Sequence, residues 1–459
     1  MHGRMSRRQF LRGTALAGAG AALAPRHLLA AGAPAVVETR SPNAKLNVAC
    51  IGVAGRGGSH LGGAARENLV AICDIDDKNL DKVGQKYPNA KKYFDYRKMF
   101  DEMHKGIDAV VVATPDHQHA PASMMAIKLG KHVYCEKPLT HSIYEARMVA
   151  EAAKRNKVAT QMGNQGHSGG GYHALCEFIW TGAIGDVTEA HCQTNRPIWP
   201  QDLKRPTDCP EAPANIHWDE WLGPAPKRPY HPCYLPFKWR GWWDFGCGAL
   251  GDMACHIMDG AMWALQLGHP TSVELVEVLG GNDETFPKSS VIRWDFPARK
   301  ATVPTSKTPI EMRPVKVFWH DGGKTFATPE EVGRDFKIDG GGSSFYLGDK
   351  GKMYTGCYGG GVTLLPIAKM KDYPKPERVL PRPEGGHFGD WINACKTGKE
   401  AGSNFSYAGP FTEVVLLGNL AIRAGAGKKV EWDGPNMKVT NMPELNRCVK
   451  REYREGWTL

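Results

Sequence analysis

The chain has 459 residues, of which 42% are hydrophobic and 23% charged, a composition typical of a soluble globular protein with two or more domains. The formal net charge is +10, but residues 1–35 contain five arginines and no acidic residue. The rest has 53 basic and 48 acidic side chains without a basic run, which argues against a nucleic-acid partner. The twelve cysteines form no C-x-x-C pair and no H-E-x-x-H motif occurs, so no metal site is predicted.

Residues 1–35 are predicted to be a signal peptide. Ser6-Arg7-Arg8-Gln9-Phe10-Leu11 resembles the twin-arginine export motif, and a weakly apolar stretch follows at 13–24. This stretch is shorter than the roughly 20 residues that a membrane-spanning helix needs, so we expect no integral membrane segment. The protein is then exported by the twin-arginine machinery, to the periplasm or otherwise out of the cytoplasm. The alternative is a flexible basic arm.

A glycine-rich loop follows the first strand-like run. Residues 46–51 are apolar, and Gly52-Val53-Ala54-Gly55-Arg56-Gly57 comes directly after them. The spacing matches the dinucleotide fingerprint G-x-G-x-x-G except that Ala54 takes the middle position. The loop therefore predicts a cofactor-binding turn, whose contact residues are Gly52, Ala54, Gly55, Arg56 and Gly57.

Asp74 ends the second strand-like run, 69–73, and lies 22 residues after Gly52. An acid at this position hydrogen-bonds the adenosine ribose and repels a 2′-phosphate. Asp74 therefore predicts NAD as the cofactor, with NADP less favoured. The alternative is an acid in a turn or at a helix N-cap.

Two further apolar runs end in polar motifs. The run at 109–113 precedes Thr114-Pro115-Asp116-His117-Gln118-His119, where Asp116 is expected to cap a helix, and the run at 132–135 precedes Glu136-Lys137-Pro138. Strands that alternate with helices predict an α/β Rossmann domain at 45–165, with a doubly wound parallel sheet. Ligands of such sheets lie at the carboxyl ends of the strands, so the cofactor contacts also include Thr114, Pro115, His119, Glu136 and Lys137.

These motifs together resemble the Gfo/Idh/MocA oxidoreductase family, over roughly residues 45–440. Glu136-Lys137-Pro138 after a strand is the most specific of them, and much more so than the glycine loop. The resemblance implies that Lys137 reaches into the space between nicotinamide and substrate. The alternative is a surface lysine in a turn.

The second signature of that family is a glycine-rich entry into a helix followed by D-x-x-x-H, here Asp252 and His256. Residues four apart share one helix face, so a carboxylate and an imidazole can point at one ligand. Catalytic roles are predicted for Lys137, Asp252 and His256, and these three with Asn164 and Gln165 are predicted to contact the substrate. His167 and His173 are also expected to line the site. The alternative is a helix-terminal acid and a core histidine.

Residues 166–440 are predicted to form a substrate-binding α/β domain, followed by a tail at 441–459. Strand-like runs without intervening helices begin at Val187, Ser272, Ser290 and Val315, which indicates a large, mostly antiparallel open sheet. Residues 196–240 are expected to be an extended covering loop, and 387–394 and 411–424 to be helices. Eight tryptophans between 180 and 263 indicate either a sugar platform or core packing. The resemblance implies oligomer contacts through the open sheet.

The resemblance implies hydride transfer between a secondary alcohol of a sugar or polyol and the nicotinamide. His256 would remove the hydroxyl proton, Lys137 would hold the alkoxide, and Asp252 would orient the imidazole. Because the twin-arginine route carries folded proteins, we expect the cofactor to be loaded before export and bound tightly.

A trapped cofactor must be regenerated on the enzyme. A second sugar could take the hydride back, or the protein could be a redox-neutral NAD-dependent glycosidase that oxidises, eliminates, hydrates and reduces. A further alternative is a non-catalytic nucleotide-binding protein.

Overall fold

The computed structural model of the protein describes residues 44–333 and 335–459, and the signal peptide predicted at 1–35 lies outside these ranges. Within them, no helix is both long enough and apolar enough to cross a bilayer. A six-stranded sheet and a nine-stranded sheet, each with its own helices, make up the fold. The predicted α/β fold class is confirmed.

The first sheet is fully parallel, and its strands occur in the order β3-β2-β1-β4-β5-β6. All four residues of β4 and of β5 are buried, which explains why these runs are apolar without alternation. The order reverses between β1 and β4, and such a switch point opens a crevice for ligands. The strands are β1 (Asn47–Ile51), β2 (Asn68–Cys73), β3 (Lys91–Tyr93), β4 (Ala109–Val112), β5 (His132–Cys135) and β6 (Thr160–Met162).

Six helices accompany these strands: Gly55–Gly58, Leu61–Ala64, Asp77–Lys86, Tyr96–Met103, Asp116–Lys128 and Ile143–Asn156. The last begins with a capping box, in which the Ser142 hydroxyl accepts the Glu145 amide and the Glu145 carboxylate accepts the Ser142 amide. Asp116 is not the predicted N-cap. It is the first residue of its helix after Pro115, and its Oδ2 instead accepts the Cys247 amide at 3.0 Å.

The second sheet has the order β15-β14-β13-β7-β12-β9-β8-β16-β17. Only the pair β7–β12 is parallel, so the prediction of a large, mostly antiparallel sheet is confirmed. Its strands are β7 (Val187–Gln193), β8 (Ser272–Leu279), β9 (Ser289–Phe296), β12 (Val315–His320), β13 (Ser343–Gly348), β14 (Gly351–Gly356), β15 (Thr363–Leu365), β16 (Lys429–Asp433) and β17 (Lys438–Val439). A separate hairpin pairs β10 (Arg299–Ala301) with β11 (Ile310–Met312).

The α-helices of the second half are Gly170–Trp180, Trp218–Leu222, Cys255–Ile257, Asp259–Ala264, Ala368–Asp372, Gly386–Thr397 and Phe405–Ala424, and a π-helical turn spans Leu250–Ala254. The two predicted closing helices are present. The second starts six residues earlier than predicted because Asn404 caps it, accepting the Ser406 amide at 2.9 Å.

The helix Phe405–Ala424 joins the two parts of the fold. It is buried along most of its length and packs on the helix Ile143–Asn156. A two-pronged ion pair reinforces the contact, because Nε and Nη2 of Arg147 each lie 2.6 Å from a carboxylate oxygen of the fully buried Glu413. A buried charge pair of this geometry fixes the contact in one arrangement.

Candidate functional site

A cleft of about 670 Å³ extends from the glycine loop to the helix entry that carries Asp252 and His256. The carboxyl ends of β1, β2, β4 and β5 contribute one wall, and segments of the second half contribute the other. We call the part around Asp252 the substrate end, and the part around Asp74 the nucleotide end.

The glycine loop has the conformation that a dinucleotide requires. Gly52 has φ +80°, and a Cβ there would lie 2.5 Å from the Ala113 carbonyl oxygen. A Cβ on Gly57 would lie 2.0 Å from the Gly52 carbonyl oxygen, so neither position accepts a side chain. Gly55 has φ +51° with open space beside it and begins the first helix. The backbone can therefore approach phosphate groups closely, and the loop fits the cofactor.

Four of the five predicted loop contacts, Gly52, Ala54, Gly55 and Arg56, line the cleft. Gly57 lies below the loop, where its role is to let the helix approach the strand. Arg56 is held by Glu136, whose Oε1 lies 2.9 Å from Arg56 Nε and 2.7 Å from His60 Nε2. Although burial opposes ionisation, these partners lower the pKa of the Glu136 carboxyl. Glu136 therefore remains a carboxylate that orients Arg56.

Asp74 lines the cleft and also secures the loop. Its Oδ2 accepts the Val53 amide at 2.9 Å, and its Oδ1 accepts the Asp76 amide at 3.1 Å and Asn79 Nδ2 at 3.2 Å. The contact with the Asp76 amide shows that Asp74 also stabilises a turn, which was one alternative for this residue. The other alternative, a helix N-cap, does not apply, because Asp76 caps the following helix. Burial raises the pKa of the Asp74 carboxyl.

His119 does not line the cleft, although Thr114 and Pro115 do. Its ring nitrogens lie 2.7 Å from the Pro138 carbonyl oxygen and 2.9 Å from the Thr114 carbonyl oxygen, and the side chain is buried. Contrary to the prediction, the structure therefore does not place His119 in contact with the cofactor cleft. His119 instead joins the two loops at the strand ends and supports them.

Lys137, Asp252 and His256 meet at the substrate end, as the motifs predicted. Lys137 Nζ donates to the Asp252 carbonyl oxygen at 2.7 Å and to Asp252 Oδ1 at 3.0 Å. Asp252 lies in the π-helical turn and His256 in the short helix after it. Such single π turns occur frequently at functional sites.

The charges of this cluster follow from its burial and its partners. Although burial opposes charge, the Asp252 carboxylate raises the pKa of Lys137, and Lys137 and Arg240 lower the pKa of Asp252. Burial, followed by the Lys137 ammonium, lowers the pKa of His256 to about 3. At neutral pH the site therefore combines an ammonium, a carboxylate and a neutral imidazole.

The His256 side chain lines the cleft. Its Nδ1 is buried and has no hydrogen-bond partner among the described residues. The expectation that Asp252 orients this ring is wrong, because the Asp252 carboxylate binds cations instead: Lys137, Arg240 at 3.3 Å and Arg196 at 3.7 Å. The ring packs edge-on against Tyr358, with 4.7 Å between centroids.

At the substrate end, the sequence prediction missed Arg196, Arg240 and Tyr358, which also line the cleft. The arginines sit among prolines and tryptophans with no motif spacing. Tyr358 has φ +57°, which a residue with a side chain rarely adopts. Its neighbours Gly359, Gly360 and Gly361 offered the only sequence signal, that of an irregular turn.

Of the predicted loop residues after β6, only Gln165 lines the cleft, where its Oε1 accepts Arg56 Nη2 at 3.3 Å. Asn164 is fully buried and donates from Nδ2 to Asp259 Oδ2 at 3.1 Å, so its predicted substrate contact is wrong. His167 also binds Asp259, at 3.0 Å. His173 is likewise buried, and its ring nitrogens face the carbonyl oxygens of Gly169 and Pro381. These three support the loop from below.

A segment at 213–222, which we call the strap, crosses the nucleotide end. Its backbone pairs with the residues after β2: the Asp77 amide donates to the Asn215 carbonyl oxygen at 3.0 Å, and the His217 amide to the Ile75 carbonyl oxygen at 2.9 Å. The His217 ring stacks on Phe94 with 3.8 Å between centroids. The predicted covering loop therefore lies over the cleft, with only short helical turns of its own.

The C-terminal tail holds the strap. Nη1 of Arg454 donates to Asp219 Oδ1 at 2.6 Å, and its Nη2 to Asp219 Oδ2 at 3.0 Å. Trp457 lines the cleft, and the Arg97 guanidinium lies 4.2 Å from the centre of its ring. The nucleotide end is therefore covered by two segments that are fastened to each other.

The clustered tryptophans serve mainly as core. Trp221, Trp239 and Trp242 pack with Tyr234 and Phe245 in one buried cluster. Trp221 and Trp239 also line the cleft. Among the residues that the structure covers, no group of three or more histidine, cysteine or acidic side chains is arranged to hold a metal ion.

Two family models match the chain. Residues 46–164 match a model described as an oxidoreductase family, NAD-binding Rossmann fold, and residues 199–295 match a model described as an oxidoreductase family, C-terminal alpha/beta domain. The first match contains the glycine loop, Asp74 and Lys137, and the second contains Asp252 and His256.

The chain is also similar to an inositol 2-dehydrogenase from Salmonella paratyphi B, with 30% identity over 152 residues. The match covers 32% of this chain and 45% of the relative, so it spans less than half of that protein's length.

Two solved structures share the fold. The WlbA dehydrogenase from Bordetella pertussis, in complex with NADH and UDP-GlcNAcA, has a TM-score of 0.58 at 16% identity and covers 85% of this chain and 99% of its own. The aldose-aldose oxidoreductase from Caulobacter crescentus, complexed with glycerol, has a TM-score of 0.51 at 16% identity, covering 84% and 99%.

Proposed function

From the premise that this chain is a member of the Gfo/Idh/MocA oxidoreductase family, we propose that it transfers a hydride between a secondary alcohol of a sugar or polyol and NAD. The observation that carries the proposal is the meeting of Lys137, Asp252 and His256 in the cleft that starts at the glycine loop. The similar proteins named above, an inositol dehydrogenase and an aldose-aldose oxidoreductase, are named for polyhydroxylated substrates.

The proposed roles follow from the charge states of the three side chains. A bound nicotinamide supplies the redox chemistry, since it accepts or returns one hydride. The neutral His256 imidazole accepts the hydroxyl proton of the alcohol, and the Lys137 ammonium stabilises the oxygen as negative charge develops on it. Asp252 holds that ammonium in place and keeps it protonated. Gly52, Ala54, Gly55, Arg56, Asp74, Thr114, Pro115 and Glu136 would bind the cofactor.

The nucleotide end favours NAD over NADP. The cleft wall near Asp74 also contains Asp76, Asp95 and Glu220. A 2′-phosphate would face these carboxylates, whereas ribose hydroxyls can donate hydrogen bonds to them.

The strap and the C-terminal tail support a tightly held cofactor. Both segments cover the nucleotide end, and each is fastened by hydrogen bonds or ion pairs to a neighbour. Release of the cofactor requires these contacts to open, which slows dissociation. Hydride would then return on the enzyme, most simply to a second sugar, the type of reaction that the name aldose-aldose oxidoreductase describes.

Mass spectrometry of the purified and then denatured protein tests this proposal. We expect NAD at about one equivalent per chain, and conversion of a sugar pair to one oxidised and one reduced product without added cofactor. A protein that is empty and inactive with added NAD would contradict it. Release of free, unoxidised sugar from a glycoside would show the redox-neutral cycle instead.

The export of the protein remains a separate proposal that rests on Arg7 and Arg8. Replacing both by lysine should leave the protein in the cytoplasm, whereas unchanged export would exclude the twin-arginine route.

The open nine-stranded sheet supports a homo-oligomer, which light scattering of the purified protein would test.

A further inference from the structure

The substrate end of the cleft has an excess of positive charge. Lys137, Arg240 and Arg196 surround Asp252, with nitrogen–oxygen distances of 3.0, 3.3 and 3.7 Å. A second acid, Asp116, lies next to this cluster, but it is almost fully buried and burial raises the pKa of its carboxyl. The Glu136 carboxylate also acts on Lys137, but it is paired with Arg56 and His60. Three cations therefore share the Asp252 carboxylate and a second carboxyl that takes up a proton more readily than usual.

The two arginines retain hydrogen-bonding capacity. Each contacts Asp252 through Nε. Nη1 of Arg240 donates to the Phe237 carbonyl oxygen at 3.2 Å, and Nη1 of Arg196 donates to Asn195 Oδ1. Within the described ranges, neither Nη2 has a hydrogen-bond partner. The free Nη2 of each arginine can donate charge-assisted hydrogen bonds to carboxylate or phosphate oxygens.

Aromatic rings fix the position of Arg240. Its guanidinium lies 4.2 Å from the ring centre of Trp239 and 4.6 Å from that of Phe237. Phe237 is 43% exposed and Ile198 is 61% exposed, and both line the cleft. Apolar surface beside rigidly held cations fits a ligand with a C–H face and an anionic substituent.

These cations do not belong to the expected phosphate site. The pyrophosphate of a dinucleotide is bound by the glycine loop with Arg56, on the Rossmann side of the cleft. Arg196 and Arg240 come from the other half of the chain, and their common partner is the Asp252 carboxylate beside Lys137. They therefore lie where the alcohol substrate must bind.

We propose that the substrate is a sugar or polyol that carries an anionic group, a carboxylate or a phosphate, bound by Arg196 and Arg240. This inference rests on the proposed function, because it specifies the substrate of the same cleft. The paired charges stabilise the bound substrate and discriminate against its neutral parent.

The test compares D-glucose, D-glucuronate and D-glucose 6-phosphate as probes of the purified protein with its cofactor. Binding is measured by calorimetry, and turnover by reduction of the enzyme-bound nicotinamide. We expect the dissociation constant or KM of one anionic probe to be at least tenfold below that of glucose. Preference for glucuronate identifies a carboxylate as the group, and preference for glucose 6-phosphate identifies a phosphate.

In Arg240→Met, the ratio between the KM of glucose and the KM of the preferred anionic probe should fall below threefold. The change should appear in KM rather than in kcat. Arg423→Met is the matched control, because Arg423 also stacks on a tryptophan, with 3.7 Å to the Trp243 ring, but lies outside the cleft lining. Equal binding of the three probes, or binding of none, would overturn the inference. Nicotinamide reduction by a neutral sugar in that case would leave the proposed function standing.

Discussion

At the scale of single residues, the site depends on an ammonium and a neutral imidazole within one buried cluster. Lys137 keeps its proton because Asp252 faces it, and His256 stays neutral because it is buried close to that ammonium. Lys137 thus carries the positive charge, and His256 the neutral imidazole, that their proposed tasks require.

Replacing Lys137 by methionine should abolish most of the activity without unfolding the protein. Asp252 keeps two cations, Arg240 and Arg196, so its charge is not left unpaired. Losing the ammonium at the reacting oxygen should lower kcat on the order of 10²- to 10³-fold. Steady-state kinetics measure this change, with the exposed Lys307→Met as control. A Lys137→Met enzyme with more than a tenth of the wild-type kcat would exclude the proposed role.

The pH profile of kcat/KM should lack the acidic limb that a histidine base with an unperturbed pKa produces. The pKa of His256 is lowered to about 3, so the imidazole is already a base in acid solution, and the pKa of Lys137 is raised. We expect kcat/KM for alcohol oxidation to be flat from about pH 5 to about pH 9. Samples returned to neutral pH control for acid inactivation. A limb centred near pH 6.5 would show that His256 is exposed to water when it reacts.

The sequence predicted well that Lys137, Asp252 and His256 lie together in the cleft, and it predicted their surroundings poorly. Lys137, Asp252 and His256 lie in motifs whose spacing reflects one fixed backbone geometry. Arg196 and Arg240 lie in a segment without periodicity, and only the folding of that segment brings them to Asp252. Asn164 and His119 were misplaced because a polar residue at a strand end can equally support the loop from below.

At the scale of structural elements, the strap and the C-terminal tail are the segments most relevant to cofactor exchange. Both segments contain little regular secondary structure. Their stability therefore depends on a few side-chain contacts rather than on a hydrogen-bonded ladder. Arg454 fastens one to the other, through the Asp219 carboxylate and the Asp219 carbonyl oxygen.

Arg454→Met should loosen the cofactor. Without the two-pronged contact to Asp219, the strap opens more often, and the rate of NAD release should increase at least tenfold, an estimate on the scale of a lost charged contact. Cofactor content after extended dialysis measures this, with the exposed Arg378→Met as control. Equal retention in both variants would show that the strap does not limit release.

Helices and strands were predicted where burial imposes a regular spacing of hydrophobic residues on the sequence. They were missed where burial imposes no such spacing. The uninterrupted apolar runs of β4 and β5 and the strand-like runs of the second sheet gave strands in the right places. The π-helical turn at Leu250–Ala254 shows no pattern of its own, because one inserted residue leaves the local sequence helical in character.

At the scale of the whole molecule, buried histidines make the fold sensitive to acid. Burial lowers the pKa of His117 and His256 to about 3, and that of His132, His320 and His387 to about 4. The unfolded chain binds protons at these positions below about pH 6.5, whereas the folded chain does not.

Stability should therefore fall as the pH decreases from 6.5 towards 5, a window above the range in which most carboxylates titrate. Each such histidine contributes up to about 1.4 kcal/mol per pH unit, so the free energy of unfolding should fall by several kcal/mol. Urea titrations at pH 7.5 and 5.5 measure it. In His132→Gln the glutamine can still accept a hydrogen bond from the Ala159 amide. This variant should reduce the slope of the free energy of unfolding against pH by the equivalent of about one proton. A pH-independent free energy would contradict the assignment of neutral histidines.

The covered nucleotide end has a kinetic consequence. A coenzyme that stays bound between turnovers acts as a prosthetic group, so the donor and the acceptor must visit the same open end of the cleft in alternation. Such an enzyme obeys ping-pong kinetics, with parallel lines in double-reciprocal plots and mutual competition between the two sugars at high concentration.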